Sequence, residues 1–305
     1  MRWSCSWCLV LILSAALSAP LLGSHAQARP EIHGHRGARA RLPENTLAGF
    51  SYAIGAGADV LEMDLQVTRD DVLVVIHDAH VDVKRCVWAN GKPLTRAMAV
   101  RKLTLATLQR LDCGRKGHPR FPHQKRLPRS GIPTLNQVLH ATKARRSRRG
   151  QPIRYNIETK SVPSLSDLSP TPAHFATLVV KALRKHGLVT RAVLQSFDAR
   201  TLRAAHDLAP RLRLALLTAE NHVDYLTLAK AHGVSIISPH HQWLLRSDVQ
   251  RLHAHKVAVM PWTVNKSADW ARMLQLGVDG IITDDPAGLH TFMLKRLKVP
   301  HPTGQ

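Results

Sequence analysis

The chain has few acidic side chains. Of its 305 residues only 21 are Asp or Glu, against 43 Lys or Arg, and the formal net charge at pH 7 is +22. This imbalance favours anionic partners such as nucleic acid, phospholipid headgroups or phosphorylated substrates. The densest basic run, residues 143–149, contains no aromatic side chain on which a base could stack. We therefore expect a solvated basic loop there, no specific nucleic-acid site, and peripheral contact with anionic membrane surfaces.

The chain also lacks a long apolar run. Residues 8–22 carry no charge and follow a basic start at Arg2, but they are fewer than the ~20 residues that a membrane span needs. Small side chains come next, at Ser24, Ala26 and Ala28. This order predicts a signal peptide over residues 1–28, with an uncleaved anchor as the alternative. Without a twin-arginine pair, we expect general secretion to the bacterial periplasm or the cell exterior.

Cysteine is scarce as well. The chain has four cysteines, and two of them precede the apolar core of the predicted signal peptide. The mature chain keeps only Cys86 and Cys113. In an oxidising compartment an even pair suggests a disulfide, and two unpaired thiols are the alternative.

Short apolar runs alternate with helix-like segments from residue 31 onward. Candidate strands lie at 32–34, 60–66, 72–76, 154–159, 192–197, 212–217, 234–238, 257–263 and 280–283. Candidate helices lie at 46–56, 135–144, 172–186, 199–208, 223–232, 247–255, 267–276 and 289–297. About eight such βα units over residues 29–305 predict an α/β fold, the closed (β/α)8 TIM barrel. Residues 79–133 break the rhythm and predict a small inserted subdomain after an early strand.

Ionisable side chains stand where the predicted strands end, which is where TIM barrels hold their active sites. Glu62 and Asp64 are two residues apart on one strand, so they point to the same face, and Glu158 ends another strand. Three carboxylates without cysteine or clustered histidine ligands favour Ca²⁺ or Mg²⁺ over zinc. Salt bridges to Arg36 and Lys160 are the alternative interpretation.

Two histidines, His35 and His77, end different strands. They could face each other across the barrel mouth, where one would take a proton and the other give one. The chain has 19 histidines, so either one alone would carry little weight. Their position beside the carboxylates makes them the candidate catalytic pair.

Several ordered blocks resemble the glycerophosphodiester phosphodiesterase family. They run from about residue 33 to residue 286, and only the ordered set is specific. The blocks are HRGARARLPENT at 35–46, EMD at 62–64, TRD at 68–70, VIHD at 75–78, LDCG at 111–114, NIETK at 156–160, QSF at 195–197, WTVN at 262–265 and GVDGIITD at 277–284.

The resemblance implies a TIM barrel, one divalent cation and hydrolysis of a small-molecule glycerophosphodiester to glycerol 3-phosphate and an alcohol. Glu62, Asp64 and Glu158 would be the metal ligands, and His35 and His77 the acid–base pair. We assign His35 as the base and His77 as the acid, and the sequence leaves open on which side the leaving group lies. The remaining roles match further positions: Arg36 and Lys160 would bind the substrate phosphate, and Glu44, Asn45, Gln195 and Trp262 would support the site.

Two departures from the family pattern stand out. Asp71 replaces a usual glycine, which should alter only a turn, and residues 83–86 replace a Thr-rich stretch at the substrate mouth. The second departure leaves the alcohol of the substrate open. The competing hypotheses are a sphingomyelinase D-like phosphodiesterase and a non-catalytic binding protein for phosphorylated ligands.

Overall fold

The computed structural model describes residues 29–220 and 223–297. The predicted signal peptide, with Cys5 and Cys8, lies outside these residues. Within the described ranges no helix is both long enough and apolar enough to cross a membrane.

Strands and helices alternate along most of the described chain. The strands are β1 Glu31–Gly34, β2 Val60–Val67, β3 Leu73–Val75, β4 His80–Val81, β5 Val87–Trp88, β6 Met98–Ala99, β7 Leu111–Asp112, β8 Arg154–Thr159, β9 Ala192–Ser196, β10 Arg213–Thr218, β11 Ile236–Pro239, β12 Ala258–Val259 and β13 Gly280–Thr283. The α-helices are α1 Leu47–Ala56, α2 Leu105–Leu108, α3 Leu135–Thr142, α4 Pro172–His186, α5 Ala199–Leu208, α6 Tyr225–His232, α7 Arg246–Ala254, α8 Ser267–Leu276 and α9 Pro286–Leu297.

Eight parallel strands form one sheet, in the order β12-β11-β10-β9-β8-β2-β1-β13. Irregular backbone hydrogen bonds join its two ends: Asp279 N donates to Val259 O at 3.0 Å, and Ile282 N donates to Pro261 O at 3.1 Å. The sheet is therefore a nearly closed barrel with helices outside it, and the predicted TIM barrel is confirmed.

The two faces of each barrel strand pack against different partners. On β2, Leu61, Met63 and Leu65 belong to the large apolar cluster that also includes residues of the surrounding helices. Glu62 and Asp64 alternate with them and therefore face the barrel interior. The register pairs Asp64 with Glu158 on β8. The period of two that runs along each strand thus gathers the acidic side chains inside the barrel.

Helix ends follow the sequence signals closely. Thr171 caps the N-terminus of α4, Pro172 occupies the first helical position, and the helix ends at Gly187, whose φ is +67°. A left-handed residue of this kind is tolerated best by glycine. Gly233 and Gly277, which each follow a helix-like run in the sequence, end α6 and α8 in the same way.

The predicted strand at 72–76 is present as β3 but does not belong to the barrel ring. It pairs antiparallel with β2. The predicted strand at 257–263 is too long, because only Ala258–Val259 (β12) forms regular strand. Pro261, which has no N–H to donate to a ladder, lies just beyond its end.

Residues 79–133 form two small antiparallel sheets, β4 with β6 and β5 with β7. They share an apolar cluster of their own, which includes Val81, Leu108 and Ile132. The segment carries 13 Lys or Arg and only 2 Asp, so it holds a large part of the chain's positive charge. The expected contact with an anionic membrane surface stays a prediction.

A disulfide joins Cys86 to Cys113 across 27 residues of this segment. Closing a loop of that length should stabilise the fold by ~3.5 kcal/mol through the entropy of the unfolded chain. We expect a Cys86→Ser/Cys113→Ser double variant to unfold at a lower urea concentration, with its free energy of unfolding reduced by that amount. A reducing agent should lower the free energy of unfolding of the wild-type protein and leave that of the double variant unchanged. Two reactive thiols in the unreduced, denatured chain from residue 29 onward would contradict the disulfide.

Candidate active site

A cavity of about 330 Å³ opens at the carboxyl ends of the barrel strands. Most of the residues predicted from the sequence line it. They are His35, Arg36, Glu62, His77, Glu158, Lys160, Gln195 and Trp262. Asp64, Glu44 and Asn45 do not line the cavity but contact Arg36, which does. The structure therefore brings the whole predicted set into one region.

Glu62, Asp64 and Glu158 offer carboxylate oxygens that all lie within 4.8 Å of one another. The three residues are buried, with exposures of 1%, 0% and 6%. Like charges at this distance in a buried site repel strongly unless positive charge or protons compensate them.

Hydrogen bonds from three directions hold two of these carboxylates. Glu62 accepts from the backbone N–H of Arg36 at 2.8 Å and from Gln195 Nε2 at 2.9 Å. Asp64 accepts from Asn45 Nδ2 at 2.9 Å. Arg36 and Asn45 both have positive φ, of 51° and 56°, which is uncommon for residues other than glycine. The loop after β1 is thus held in a strained conformation that directs these groups at the acidic cluster.

Two positively charged side chains also contact the three carboxylates, as the salt-bridge interpretation of the sequence proposes. Arg36 Nε lies 3.1 Å from Asp64, and Lys160 Nζ lies 3.2 Å from Asp64 and 2.6 Å from Glu158. Three carboxylates therefore face two positive side chains. The salt bridges are present, but they leave one negative charge unbalanced.

The pKa values reflect this balance. Burial raises the pKa of Glu62 well above its usual value, and the charges of Asp64 and Glu158 raise it further. Burial and the Asp64 charge also raise the pKa of Glu158, against the effect of Lys160. Burial opposes ionisation of Asp64 too, but Lys160 and Arg36 outweigh it and hold its pKa well below the usual range.

His35 is buried and oriented by Asp284. Its Nδ1 lies 2.6 Å from Asp284 Oδ1, and an ionised carboxylate can only accept, so Nδ1 donates. Burial lowers the pKa of His35 to about 4, although Asp284 raises it. The ring is therefore neutral at pH 7, with the lone pair on Nε2, the atom that lies 4.0 Å from Glu62.

His77 is paired in the same way but is more open to solvent. Its Nδ1 lies 2.6 Å from Asp78 Oδ1, and its side chain is 31% exposed. The hydrogen bond with His77 lowers the pKa of Asp78 to about 2, against the effect of burial. Arg85 contacts Asp78 and Glu44 as well. Arg85 belongs to residues 83–86, the segment that departs from the family pattern. This arginine therefore connects Asp78, the partner of His77, to Glu44.

Sequence reasoning assigned no role to Asp284 or Arg120. Asp284 follows β13, and β13 pairs with β1 at Gly34 and Thr283. In a closed barrel the last strand pairs with the first, so the residues that follow them, Asp284 and His35, lie side by side. The predicted strand order therefore already contains this signal. Arg120 comes from the insertion and lines the cavity, and no sequence signal marks it. Asp71 adopts φ +57° in its turn, the conformation that a glycine there would take without strain.

Fold and cavity together define a TIM-barrel enzyme whose site lies at the carboxyl ends of the strands. Residues 35–288 match the model of the glycerophosphoryl diester phosphodiesterase family. A glycerophosphodiester phosphodiesterase of Caldanaerobacter subterraneus subsp. tengcongensis is 31% identical over 265 residues, 86% of this chain and 96% of the relative. The chain belongs to the glycerophosphoryl diester phosphodiesterase family, and it is an enzyme that hydrolyses phosphoric diesters.

Solved structures agree with this assignment. A crystal structure from Silicibacter pomeroyi superposes with a TM-score of 0.80 at 30% identity, over 88% of this chain and 94% of that one. A phosphodiesterase from Oleispira antarctica in complex with the product sn-glycerol-3-phosphate has a TM-score of 0.71 at 20% identity, over 87% and 96%. The second likeness shows the shared fold.

Glu44 links the site to stability at acid pH. Burial raises its pKa, but Arg36, Arg85 and Arg39 outweigh burial and lower it to about 2. A depressed pKa stabilises the fold above the ordinary value of 4.5, and this contribution is lost as the pH falls toward 2. We expect Glu44→Gln to cost ~3 kcal/mol at pH 7 and progressively less below pH ~4. Urea unfolding at several pH values measures this.

The exposed Glu220 provides the matched control. Glu220→Gln should change stability little at any of these pH values, because surface substitutions away from such networks usually stay within ~0.5 kcal/mol. A loss in Glu44→Gln that stays constant from pH 7 to pH 3 would contradict the assignment.

Proposed function

We propose that this enzyme hydrolyses sn-glycero-3-phosphodiesters to glycerol 3-phosphate and an alcohol, with one divalent cation and a histidine pair. The observation that carries the proposal is the buried carboxylate cluster between two histidines that each have a carboxylate partner. The product complex of the Oleispira relative supports glycerol 3-phosphate as the product here. The size of the cavity suits a small polar substrate.

The donor set fits a hard cation. Asp64 Oδ1 and Glu158 Oε1 are buried and face the Lys160 ammonium at 3.2 Å and 2.6 Å, and neither accepts a well-directed hydrogen bond. With Glu62 they form an all-oxygen set that carries one charge more than Arg36 and Lys160 balance, which suits Ca²⁺ or Mg²⁺. The cation, when bound, would polarise the phosphodiester and neutralise charge on its oxygens.

The proton transfers follow from the two histidine environments. His35 is neutral and presents Nε2, so it takes a proton from the nucleophile, which is water or the neighbouring glycerol hydroxyl. His77 gives a proton to the oxygen of the leaving alcohol as the bond between phosphorus and that oxygen breaks. Attack by water gives glycerol 3-phosphate directly, whereas attack by the glycerol hydroxyl gives a cyclic phosphate that water then opens. Either route consumes one water, whose atoms end on glycerol 3-phosphate and the alcohol. Asp284 and Asp78 orient the two rings.

Arg36 and Lys160 serve the phosphate. Both line the cavity, and their neighbouring carboxylates overcome the effect of burial and raise their pKa values. They therefore stay charged and can stabilise the negative oxygens as charge builds on them. The side chain of Gln195 holds Glu62, and Trp262 forms part of the wall.

The alternative functions explain less of the site. A binding protein for phosphorylated ligands would not need two histidines that are each aligned by a carboxylate. A sphingomyelinase D-like enzyme would share the barrel and the histidines, but the match to the phosphodiesterase family extends over residues 35–288.

We also propose that the enzyme is exported and works in the bacterial periplasm or outside the cell. The disulfide between Cys86 and Cys113 supports this, because such bonds persist in oxidising compartments. The N-terminal sequence pattern points the same way. The thiol titration that tests the disulfide also bears on this proposal.

Replacing either histidine should slow the chemistry. We expect His35→Ala and His77→Ala each to lower kcat by ~10²–10⁴, the usual contribution of a positioned acid or base. Release of glycerol 3-phosphate from sn-glycero-3-phosphocholine measures this, and circular dichroism checks the fold. His206→Ala, at an exposed position on α5, is the matched control. Wild-type turnover in either variant would remove that residue from the mechanism.

Removing the cation should abolish activity. We expect chelation to stop hydrolysis, and Ca²⁺ or Mg²⁺ to restore it and to raise the melting temperature, because ligands of the folded state stabilise it by ~2.7 kcal/mol at 100 times Kd. Glu62→Gln should weaken both effects together. Cation affinity should fall as the pH falls, because protons compete for a Glu62 whose pKa is raised.

The control for the metal experiment is Asp207→Asn, an exposed acidic position on α5. It should keep the response to chelation and to added cation. Full activity after exhaustive chelation, with no bound metal by elemental analysis, would show that Arg36 and Lys160 suffice to neutralise the cluster and that no cation takes part.

A further inference from the structure

A second cavity of about 380 Å³ adjoins the catalytic cavity, and we name it the side cleft. Four residues line both spaces. They are His77, Glu158, Lys160 and Phe197. His35 lines only the catalytic cavity. The side cleft is therefore continuous with the site on the His77 side.

The lining of the side cleft includes four apolar side chains beside the polar Asp78, His80, Ser161 and Ser169. Val162, Leu165 and Leu168 come from the segment between β8 and α4, and Phe197 comes from the end of β9. Val162 is 44% exposed, Leu165 46% and Phe197 48%. Single exposed apolar side chains are ordinary, whereas several that surround one cleft beside a catalytic cavity indicate a surface that binds an apolar group.

The inner end of the cleft holds polar atoms without partners. Gln66 and Thr159 line it, and each is 2% exposed. Gln66 Nε2 donates to the backbone oxygen of His77 at 3.1 Å, so the Oε1 of the same amide is the acceptor. That Oε1 and Thr159 Oγ1 make no hydrogen bond. Buried polar groups left unpaired are destabilising, and a bound molecule with a polar group could pair with them.

We propose that the side cleft binds the leaving alcohol, and that the substrates of this enzyme include glycerophosphodiesters whose alcohol carries a hydrocarbon portion. This inference rests on the proposed function. His77 lies between the two cavities and gives its proton to the leaving oxygen, so the alcohol leaves on that side. The oxygen end of the alcohol meets the polar inner end, and its hydrocarbon portion lies against Leu165 and Phe197.

The test uses a substrate series that differs only in the leaving alcohol. The substrates are sn-glycero-3-phosphoethanol, -butanol and -hexanol, each assayed below its micelle concentration with the wild-type enzyme and added Ca²⁺ or Mg²⁺. Burying a methylene group is worth about 0.8 kcal/mol, or up to ~4-fold in kcat/KM. We expect kcat/KM for the hexyl ester to exceed that for the ethyl ester by ~10-fold or more.

Variants of the cleft wall separate packing from folding. Leu165→Ser should lower the ratio of kcat/KM for the hexyl ester to that for the ethyl ester by ~5-fold or more, and Leu165→Met should restore most of it. Leu208→Ser is the matched control, because Leu208 is a partly exposed leucine at the C-terminus of α5, at the far end of the barrel. It should keep the wild-type ratio.

Three outcomes would overturn the inference. Equal kcat/KM for the ethyl and hexyl esters would overturn it alone and leave the proposed function standing. A second outcome would also overturn the inference alone. If a hexanoyl chain attached to the glycerol raised kcat/KM, and Leu165→Ser removed that increase, the side cleft would bind the glycerol side of the substrate and not the leaving alcohol. No hydrolysis of any ester, the ethyl ester included, would overturn the proposed function and this inference with it.

Discussion

Everything in the site depends on the repulsion among Glu62, Asp64 and Glu158. The alternation of side chains along β2 and β8 directs all three into the barrel, where burial makes each charge costly. Arg36 and Lys160, the amides of Asn45 and Gln195 and the strained loop after β1 are arranged around that cost. The pKa of Glu62 rises and that of Asp64 falls because the compensation is incomplete and uneven. A site that remains short of positive charge is one that a cation can complete.

The barrel interior also shows why polar side chains are tolerated there. His33 lies fully buried on β1. Asn156 Nδ2 donates to Gln195 Oε1 at 2.9 Å, and Gln195 in turn donates to Glu62, so Asn156 is connected to Glu62 through Gln195. Gly280 on β13 leaves room for His33, since a Cβ there would lie 2.8 Å from its Nε2. The opposite side of the interior is apolar, with Val193, Ala215, Ile236 and Met260. The polar half of the core thus leads to the catalytic face, and the apolar half supports it.

Much of this arrangement could be predicted from the sequence because barrel geometry converts strand positions into spatial neighbours. The strands that carry Glu62, Asp64 and Glu158, the glycines that end α4, α6 and α8, and the disulfide pair all follow from local pattern. The role of β3 did not, because a short apolar run reads the same whether it pairs parallel or antiparallel. The contributions of Arg85 and Arg120 depend on how the insertion folds over the mouth, and no local pattern specifies that. Asp284 could have been found from barrel closure alone.

The pairing of His35 with Asp284 joins the first barrel strand to the last, across 249 residues of chain. His35, which we propose as the base, therefore has no oriented ring until β13 has docked beside β1. Contacts of such long sequence separation form late, because their loop-closure entropy must be overcome first. If His35 acts as we propose, a nascent or truncated chain that lacks the last strand would hold most of the acidic cluster and still be inert. On that proposal, enzymatic turnover would report completed folding, and partly folded forms would not contribute to an activity assay.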